Sequence, residues 1–400
     1  MKTTKTTVNA KPSAKPRSKV VAKAPAPAGK AGRARAAAPG ALATTKPTAL
    51  VKRSSPVTLI TGASGFLGGH LVRQLLQQGA GPLRAMQSGT PPAWLEELGV
   101  EIVRGSVASP EDVSRAMAGV DRVYHLAGLV SLKPEDAHRM YEVHVDGTRI
   151  LAQAAVAAGV RRIVLASTSG TIAVSKRADA SLDETSPTPI ELITRWPYYA
   201  SKLYQEEAAR RACRNDVELV IVNPSLLLGP GDDRLSSTRV VMQFLGREIA
   251  LSPPGGLSFV DVRDVAAALP VAMEQGAPGD RYLMGAANWT FAEFFGRLER
   301  MTKVPGPLLT GRGRLTLMAA HAQAALYRTF GRTPPVEPAS VDMAGHYWYF
   351  ESDKAIRELG FAARDPADTL FDTVQYIRKT FLPTGDRSIW RHLRRARGRL

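Results

Sequence analysis

The stretch VTLITGASGFLGGHLVRQLLQQG, residues 57–79, constrains the fold more than any other part of the chain. VTLI (57–60) is a short aliphatic, β-branched run that ends on a glycine turn, the signature of a buried strand. Apolar residues then recur at 67, 71, 72, 75 and 76, a helical period closed by Gly79. Between them Gly62, Gly65 and Gly68 stand three apart. In a strand–turn–helix setting the first glycine permits the tight turn. The second lets a dinucleotide pyrophosphate approach the backbone, and the third lets the helix pack against the sheet. Amides at the helix N-terminus would face the phosphates.

The same alternation continues. LRAMQ (83–87), VEIVRG, DRVYHLAG (121–128), RRIVLAST (161–168) and VELVIVNP (217–224) read as strands. Helical patterns lie between them, including a long one over 137–158 and another from the tyrosines at 198 and 199. This predicts an α/β fold, a Rossmann-type doubly wound parallel sheet with helices on both faces. From about residue 225 the alternation weakens. Residues 226–385 are expected to form a smaller C-terminal substrate-binding lobe, with some segments returning to the sheet, while 56–225 form the dinucleotide-binding domain. Residues 315–331, LTLMAAHAQAALYRTFG, offer that lobe a fairly apolar wall.

Charge separates the body from its ends. The net charge is +17, yet residues 1–55 carry 13 Lys and Arg with no acid, and 386–400 carry six Arg and one Asp. The stretch between is close to neutral, so the basic pI is no argument for nucleic-acid binding by the folded body. The N-terminal run, KAPAPAGKAGRARAAAP included, reads as a disordered basic tail, because it holds too little apolar surface to offset chain entropy. The C-terminal IWRHLRRARGRL reads as a solvated charge run or a short amphipathic helix. Either tail could contact nucleic acid or an anionic membrane. No run of 18 apolar residues occurs, so no spanning helix is expected, and the N-terminal stretch has no apolar segment of the kind a secretory signal needs. One cysteine, Cys213, excludes an internal disulfide and a cysteine-based metal site. A cytoplasmic protein with no metal is expected.

RWPYYASKLYQEEAARRA (195–212) raises a choice, since Tyr198 and Tyr199 lie four and three residues before Lys202 and either could share its helix face. A tyrosine has a pKa near ~10, and a cation one turn away would stabilise the tyrosinate and make it a usable acid or base. For the cofactor, no acid follows the second strand to hold NAD ribose hydroxyls, and Arg84, Ser88 and Thr90 could receive a 2′-phosphate. NADP or NAD is expected, with a lean to NADP.

With TGASGFLG, LASTSGT, VYHLAG, VHVDGTRIL, VNPSLLLGPGD, FVDVRDVA and SDKAIRELGF, the chain resembles an extended short-chain dehydrogenase/reductase over about residues 56–382. It is most similar to the branch of dihydroflavonol 4-reductase-like, 3β-hydroxysteroid dehydrogenase-like and hopanoid-associated epimerase-like proteins. The Y-x-x-x-K pattern of that family selects Tyr198, with Lys202, and leaves Tyr199 to packing or a substrate wall. The resemblance places Thr168 on the reacting oxygen, with Ser167 and Ser169 as neighbours. It implies a cofactor site of Gly62, Ser64, Gly65, Phe66, Leu67 and Gly68 at the phosphates, and Ser88 near the ribose. Leu126, Ala127 and Gly128 would line the loop after strand four, beside His125. Asn223, Pro224 and Ser225 would lie by the nicotinamide, and Lys202 would also bond its ribose. Ser106, beside Val107, stands where many relatives have an acid contacting adenine. Sugar 4,6-dehydratases carry an Asp-Glu pair after the threonine. Here Ser169 and Gly170 follow, which disfavours water loss.

The resemblance therefore implies an NAD(P)-dependent oxidoreductase reducing a ketone, or oxidising a secondary alcohol, on a small, fairly apolar substrate. The alternatives are an NAD-retaining nucleotide-sugar epimerase and, in another class, a dinucleotide-sensing or scaffold protein. Family members often form homodimers through the long helix and the tyrosine helix. Asp261 and Asp264 read as helix caps.

Overall fold

The computed structural model describes residues 56–382, apart from 308, 312, 332–333 and 335–336. Both basic tails lie outside the described residues. The strands are β1 (Val57–Thr61), β2 (Leu83–Gln87), β3 (Glu101–Arg104), β4 (Val120–His125), β5 (Arg162–Ala166), β6 (Glu218–Pro224), β7 (Leu226–Leu228), β8 (Leu251–Ser252), β9 (Gly256–Asp261), β10 (Arg281–Met284), β11 (Ala287–Thr290) and β12 (Leu309–Thr310). The helices are α1 (Phe66–Gln77), α2 (Ala93–Glu97), α3 (Pro110–Ala116), α4 (Ala137–Tyr141), α5 (Gly147–Ala158), α6 (Ile190–Ile193), α7 (Pro197–Cys213), α8 (Arg239–Leu245), α9 (Val262–Gln275), α10 (Phe291–Thr302), α11 (Gly313–Thr329), α12 (Pro338–Met343), α13 (Asp353–Leu359) and α14 (Pro366–Phe381).

Seven strands form one parallel sheet in the order β10-β6-β5-β4-β1-β2-β3. It is covered on both faces, which is why its strands read as continuous apolar runs rather than alternating ones. Side chains of alternate parity feed two cores. Ile60, Tyr124, Val164 and Val220 pack with α1, α9 and α13 on one face. Leu59, Val123, Ile163 and Leu165 pack with α3, α5 and α7 on the other. Each such aliphatic side chain contributes about 1.5–3 kcal/mol when fully buried. β10, α9 and α13 therefore join the sheet's own core although they follow residue 225. A third core gathers α8, α10 and α14 against the small β11-β9-β7 sheet, around Phe244, Phe259, Phe294 and Leu298.

Three local departures from the sequence reading have physical causes. The helix predicted over 137–158 is interrupted by a π-helical turn at Glu142–Asp146. That turn rotates His144 into the interior, and Gly147 meets Val107 so closely that a Cβ would lie 2.8 Å from Val107 Cγ2. Arg84, a candidate for a 2′-phosphate, lies near the start of β2 and is committed elsewhere. Its Nη1 donates to Ala116 O at 2.9 Å and to Ala118 O at 2.6 Å, and its Nε lies 2.9 Å from Glu101 Oε2. Asp261 does cap α9, its side chain accepting from Arg263 N, but Asp264 instead receives the backbone and guanidinium of Arg364. No helix among the described residues is long and apolar enough to cross a membrane.

Candidate active site

The carboxyl ends of the parallel strands converge on one edge, where an open α/β sheet binds its ligand. There the glycine turn is built from contacts that only hydrogen atoms allow. Gly62 has φ +72°, and a Cβ on it would sit 2.7 Å from the backbone of Leu126 and Ala127. The turns after β1 and β4 thus touch. Leu126 N donates to Thr61 O, and Ala127 N to Thr61 Oγ1. A Cβ on Gly68 would fall 2.1 Å from Gly62 O, so α1 rests directly on the turn. Gly65 is the N-cap of α1 and no side chain caps that helix, while Phe66 and Leu67 form its first turn. The amides there are left for an anion.

Three buried polar atoms along this edge lack a protein partner: Gln87 Nε2, Asn223 Oδ1 and Ser225 Oγ. Buried polar groups are nearly always bonded, so such orphans mark where a ligand completes the set. They lie at the ends of β2 and β6, with the glycine turn between them in the sheet order. Cradle, uncapped helix and orphans together fit an extended dinucleotide. Gln87 Oε1 accepts from Ser64 Oγ at 2.8 Å, which places the Gln87 amide beside the turn. Ser88 and Thr90 are exposed just beyond it, and no cation is brought there by residues 87–94. In the β3 turn, Ser106 N donates to Asp112 Oδ2 and Val107 is buried against α5. Pro224 is buried at the end of β6, and Ser225 N donates to Met284 O.

Helix α7 begins at Pro197, a residue suited to the first helical position. Its inward face carries Tyr198, Lys202 and Glu206 at successive turns. Lys202 is 5% exposed, and its Nζ donates to Ala166 O at 2.8 Å and to Gln205 Oε1 at 2.7 Å. Ala166 ends β5, two residues before Thr168, so the lysine pins the tyrosine helix to that strand end. Burial pulls the Lys202 ammonium down to about 8, against the attraction of Glu206. Burial pushes the Tyr198 phenol up to about 12. That is opposite to the lowering expected from a neighbouring cation, because the ammonium is turned onto Ala166 O and Gln205. The Tyr198 hydroxyl has no hydrogen-bond partner among the described residues. Its ring meets His144 and Tyr199 edge-on, with centroids 6.0 and 5.1 Å away.

The hydroxyls at 167–169 are sorted by a carboxylate that the sequence reading passed over. Glu206, 2% exposed, accepts at Oε1 from Ser167 Oγ (2.5 Å), Thr171 Oγ1 (2.9 Å) and Asn223 Nδ2 (2.8 Å). Asn223 Nδ2 and Thr171 Oγ1 also hold Thr168 O, each at 3.0 Å. Ser167 is thereby turned inward, whereas half-buried Thr168 meets only Gly170 N, at 3.4 Å. Of the pair Ser167 and Thr168, the threonine keeps a hydroxyl open to a ligand. Replacing Glu206 with Ala would strand Ser167 Oγ and leave Thr171 Oγ1 and Asn223 Nδ2 with Thr168 O alone, and a loss of about 1–3 kcal/mol in urea unfolding is expected.

A buried chain of hydrogen bonds leads away from Lys202. Gln205 Nε2 donates to Thr148 Oγ1, which lies 2.8 Å from His125 Nε2, and His125 Nδ1 lies 2.7 Å from Thr61 Oγ1. In parallel, His144 Nε2 accepts from Leu129 N, so its Nδ1 carries the proton toward Ser201 Oγ, which donates to Tyr198 O. A Cβ on Gly128 would lie 3.1 Å from His144 Nε2 and 3.8 Å from Lys202 Nζ. Gly128 thus lets the loop after β4 settle onto both.

Burial, reinforced by Lys202, holds His125 down to about 3 and His144 down to about 2. The unfolded chain protonates its histidines near ~6.5, while these two folded rings stay neutral. Below that pH the unfolded state binds more protons, so stability falls as pH drops from ~6.5 toward 3. The slope approaches ~1.4 kcal/mol per pH unit for each ring, and no contribution is made above ~7.5. Urea midpoints measured between pH 7.5 and 5 should show this slope, reduced in His144→Asn.

Behind Gly170 stands an aromatic wall. Tyr199 stacks on Trp348 at 4.7 Å, Trp196 lies 5.4 Å from Trp348, and α12 packs beneath through Ala339 and Met343. Tyr199 is thus a packing residue of this wall. Glu206 had a readable signal, an acid on the same helical stripe as Tyr198 and Lys202. The π-turn that aims His144 had none.

Comparison with known proteins bears on the family and the fold. The profile of the NAD dependent epimerase/dehydratase family matches residues 58–285. A Synechocystis protein, provisionally named as a dihydroflavonol 4-reductase, is 32% identical over 80% of this chain and 94% of its own. Sterol demethylase protein B of Methylococcus capsulatus is also 32% identical, over 80% of this chain and 98% of its own. The structure of a Thermus thermophilus UDP-glucose 4-epimerase in complex with NAD superposes with a TM-score of 0.62 at 20% identity, covering 81% of this chain and 99% of that one.

Proposed function

Because the chain is an enzyme that belongs to the NAD dependent epimerase/dehydratase family, we propose that it reduces a ketone, or oxidises the matching secondary alcohol, on a fairly apolar substrate. The observation that carries this reading is the tie from Lys202 Nζ to Ala166 O, which holds the Tyr198 face of α7 against the Thr168 end of β5. When bound, the dinucleotide supplies or accepts the hydride. Thr168 Oγ1 donates a hydrogen bond to the carbonyl oxygen and orients it. Tyr198 Oη hands its proton to that oxygen as hydride adds to the carbon, so the carbonyl becomes an alcohol and the tyrosinate is left to be reprotonated. Burial keeps Tyr198 protonated at neutral pH, the form a proton donor needs. Lys202, held on Ala166 O and Gln205, positions the tyrosine helix, and its third proton remains for the cofactor ribose.

Substrate class follows from the half-buried, stacked rings of Tyr199 and Trp348, behind which Trp196 is buried. Residues 226–385 supply the substrate-binding lobe, beginning with β7 directly after Ser225. The sterol in the Methylococcus relative's name is in keeping with a lipid-like ketone. For the cofactor, no acid stands at the end of β2 to repel a 2′-phosphate. The Gln87 amide, Ser88 and Thr90 can donate to one, which favours NADPH. Cys213, 1% exposed, is a core residue, in keeping with a reducing cytoplasmic setting. Dimerisation through α5 and α7 is supported by Tyr204, 44% exposed, although Ala152 and Ala155 are used within the chain's own core.

The test is a titration of the purified protein with NADPH and NADH, followed by a screen of apolar ketones. Tighter NADPH binding with ketone-dependent oxidation supports the reading. Tightly retained NAD that survives purification would favour the epimerase instead.

A further inference from the structure

Helix α11 is apolar on two sides. One side carries Ala320, 8% exposed, and Ala324, 1% exposed, with half-buried Leu317 and Tyr327, where the helix packs on α12. The other faces out: Met318 is 66% and Leu326 58% exposed, and Phe330, just past the last turn, is 70% exposed. Met318 and Leu326, with Ala322 between them, recur at four-residue steps along one side, and Phe330 continues that spacing. Leu309, 66% exposed on the short β12 strand that precedes α11, adds to the same kind of surface. Leaving such side chains in water forgoes burial free energy, so an exposed apolar stripe implies something that covers it.

Charge identifies the cover. From residue 300 to 336 the chain has six Lys and Arg and not one Asp or Glu. Arg328 is held by Glu337 at 2.9 Å, and the other five have no acid within that run. Arg378 Nη2 donates to Thr302 O, which brings the basic last turn of α14, with Lys379, beside Lys303. An apolar stripe on a helix with cationic flanks is the form that lies in the interface of an anionic bilayer. A protein partner would have to bring acids to match, whereas the headgroups of an anionic bilayer supply them everywhere.

We propose that α11 docks this enzyme on an anionic lipid bilayer, its stripe of Met318, Leu326 and Phe330 inserted among the headgroups. Since α12 links α11 to the aromatic wall of Trp196, Tyr199 and Trp348, docking sets that wall one helix layer from the membrane. The ketone is then a membrane-resident lipid, a substrate assignment that rests on the reductase reading.

The full-length protein is floated with phosphatidylcholine vesicles, with and without phosphatidylglycerol, in low and high salt. Co-flotation with the anionic vesicles is expected, and part of it should survive high salt, which screens the charges of the basic termini but not apolar insertion. Met318→Glu, Leu326→Glu and Phe330→Glu together, with both termini intact, should lower the high-salt partition about tenfold or more. Unchanged NADPH binding would show that this variant is folded. A polarity-sensitive fluorophore on Leu326→Cys should shift to the blue on anionic vesicles, and buried Cys213 will not compete for the label. The proposal is overturned if the triple variant floats like the wild type, if the wild type never floats, or if the triple variant halves the mass in sedimentation. The last result would mean that a second copy covers the stripe. Flotation without reduction of any ketone supports docking and removes the reductase reading. Ketone reduction without flotation does the reverse.

Discussion

Tyr198→Phe should bind NADPH as the unchanged enzyme does and lose about 10²–10⁴-fold in kcat, the usual worth of a positioned acid. The substitution removes one oxygen and little else. That hydroxyl bonds no protein group among the described residues, so nothing buried is stranded. The ring keeps its edge contacts with His144 and Tyr199. Stability and cofactor affinity are therefore controls rather than confounders. Tyr199→Phe is the companion measurement. Its ring is stacked on Trp348 and its role in the wall needs no hydroxyl, so it should stay close to the unchanged enzyme in kcat. A Tyr198→Phe protein that keeps most of its turnover would move the proton to another group and undo the mechanism.

Gly68→Ala is expected to be among the most damaging single methyl groups at the described residues. Its Cβ would lie 2.1 Å from Gly62 O and 2.8 Å from Ala63 Cα, both backbone atoms of a turn already fixed by Gly62. No side chain can swing aside, so α1 must lift from the turn. Overpacking of this kind costs about 1–3 kcal/mol, and more where the backbone cannot yield. The lifted helix also carries its amides away from the phosphate site, so dinucleotide affinity should fall with stability. Gly69→Ala, one residue on, is the contrast. There the nearest atom is the end of the Arg73 side chain at 3.2 Å, which can move. Helix propensity then favours alanine by about 0.5–1 kcal/mol. Urea midpoints and NADPH titrations of the two variants should separate in sign.

The legible parts of this fold were those written in local pattern. The β1 run, the glycine spacing and the four-residue step from Tyr198 to Lys202 each state a geometry within one or two turns of chain. What escaped depends on partners far along the sequence. Arg84 looked available for a phosphate because the carbonyls that hold it, at Ala116 and Ala118, belong to the end of another helix. Glu206 looked like one more charge on a charged helix until Ser167, Thr171 and Asn223 closed on it. Residues 315–331 read as an apolar wall, but local pattern did not show that Met318, Leu326 and Phe330 would face out while Ala320 and Ala324, with half-buried Leu317 and Tyr327, face the lobe.

The line of contacts from Lys202 through Gln205, Thr148 and His125 to Thr61 looks at first like a conduit. It contains an amide, and a carboxamide does not pick up a proton at one end and release it at the other. Lys202 donates to its oxygen and its nitrogen donates to Thr148, so direction is passed along but charge is not. The line is a tie rod. It keeps the tyrosine helix and the loop after β4 in register, and under the proposed mechanism it is no path by which a proton returns to Tyr198.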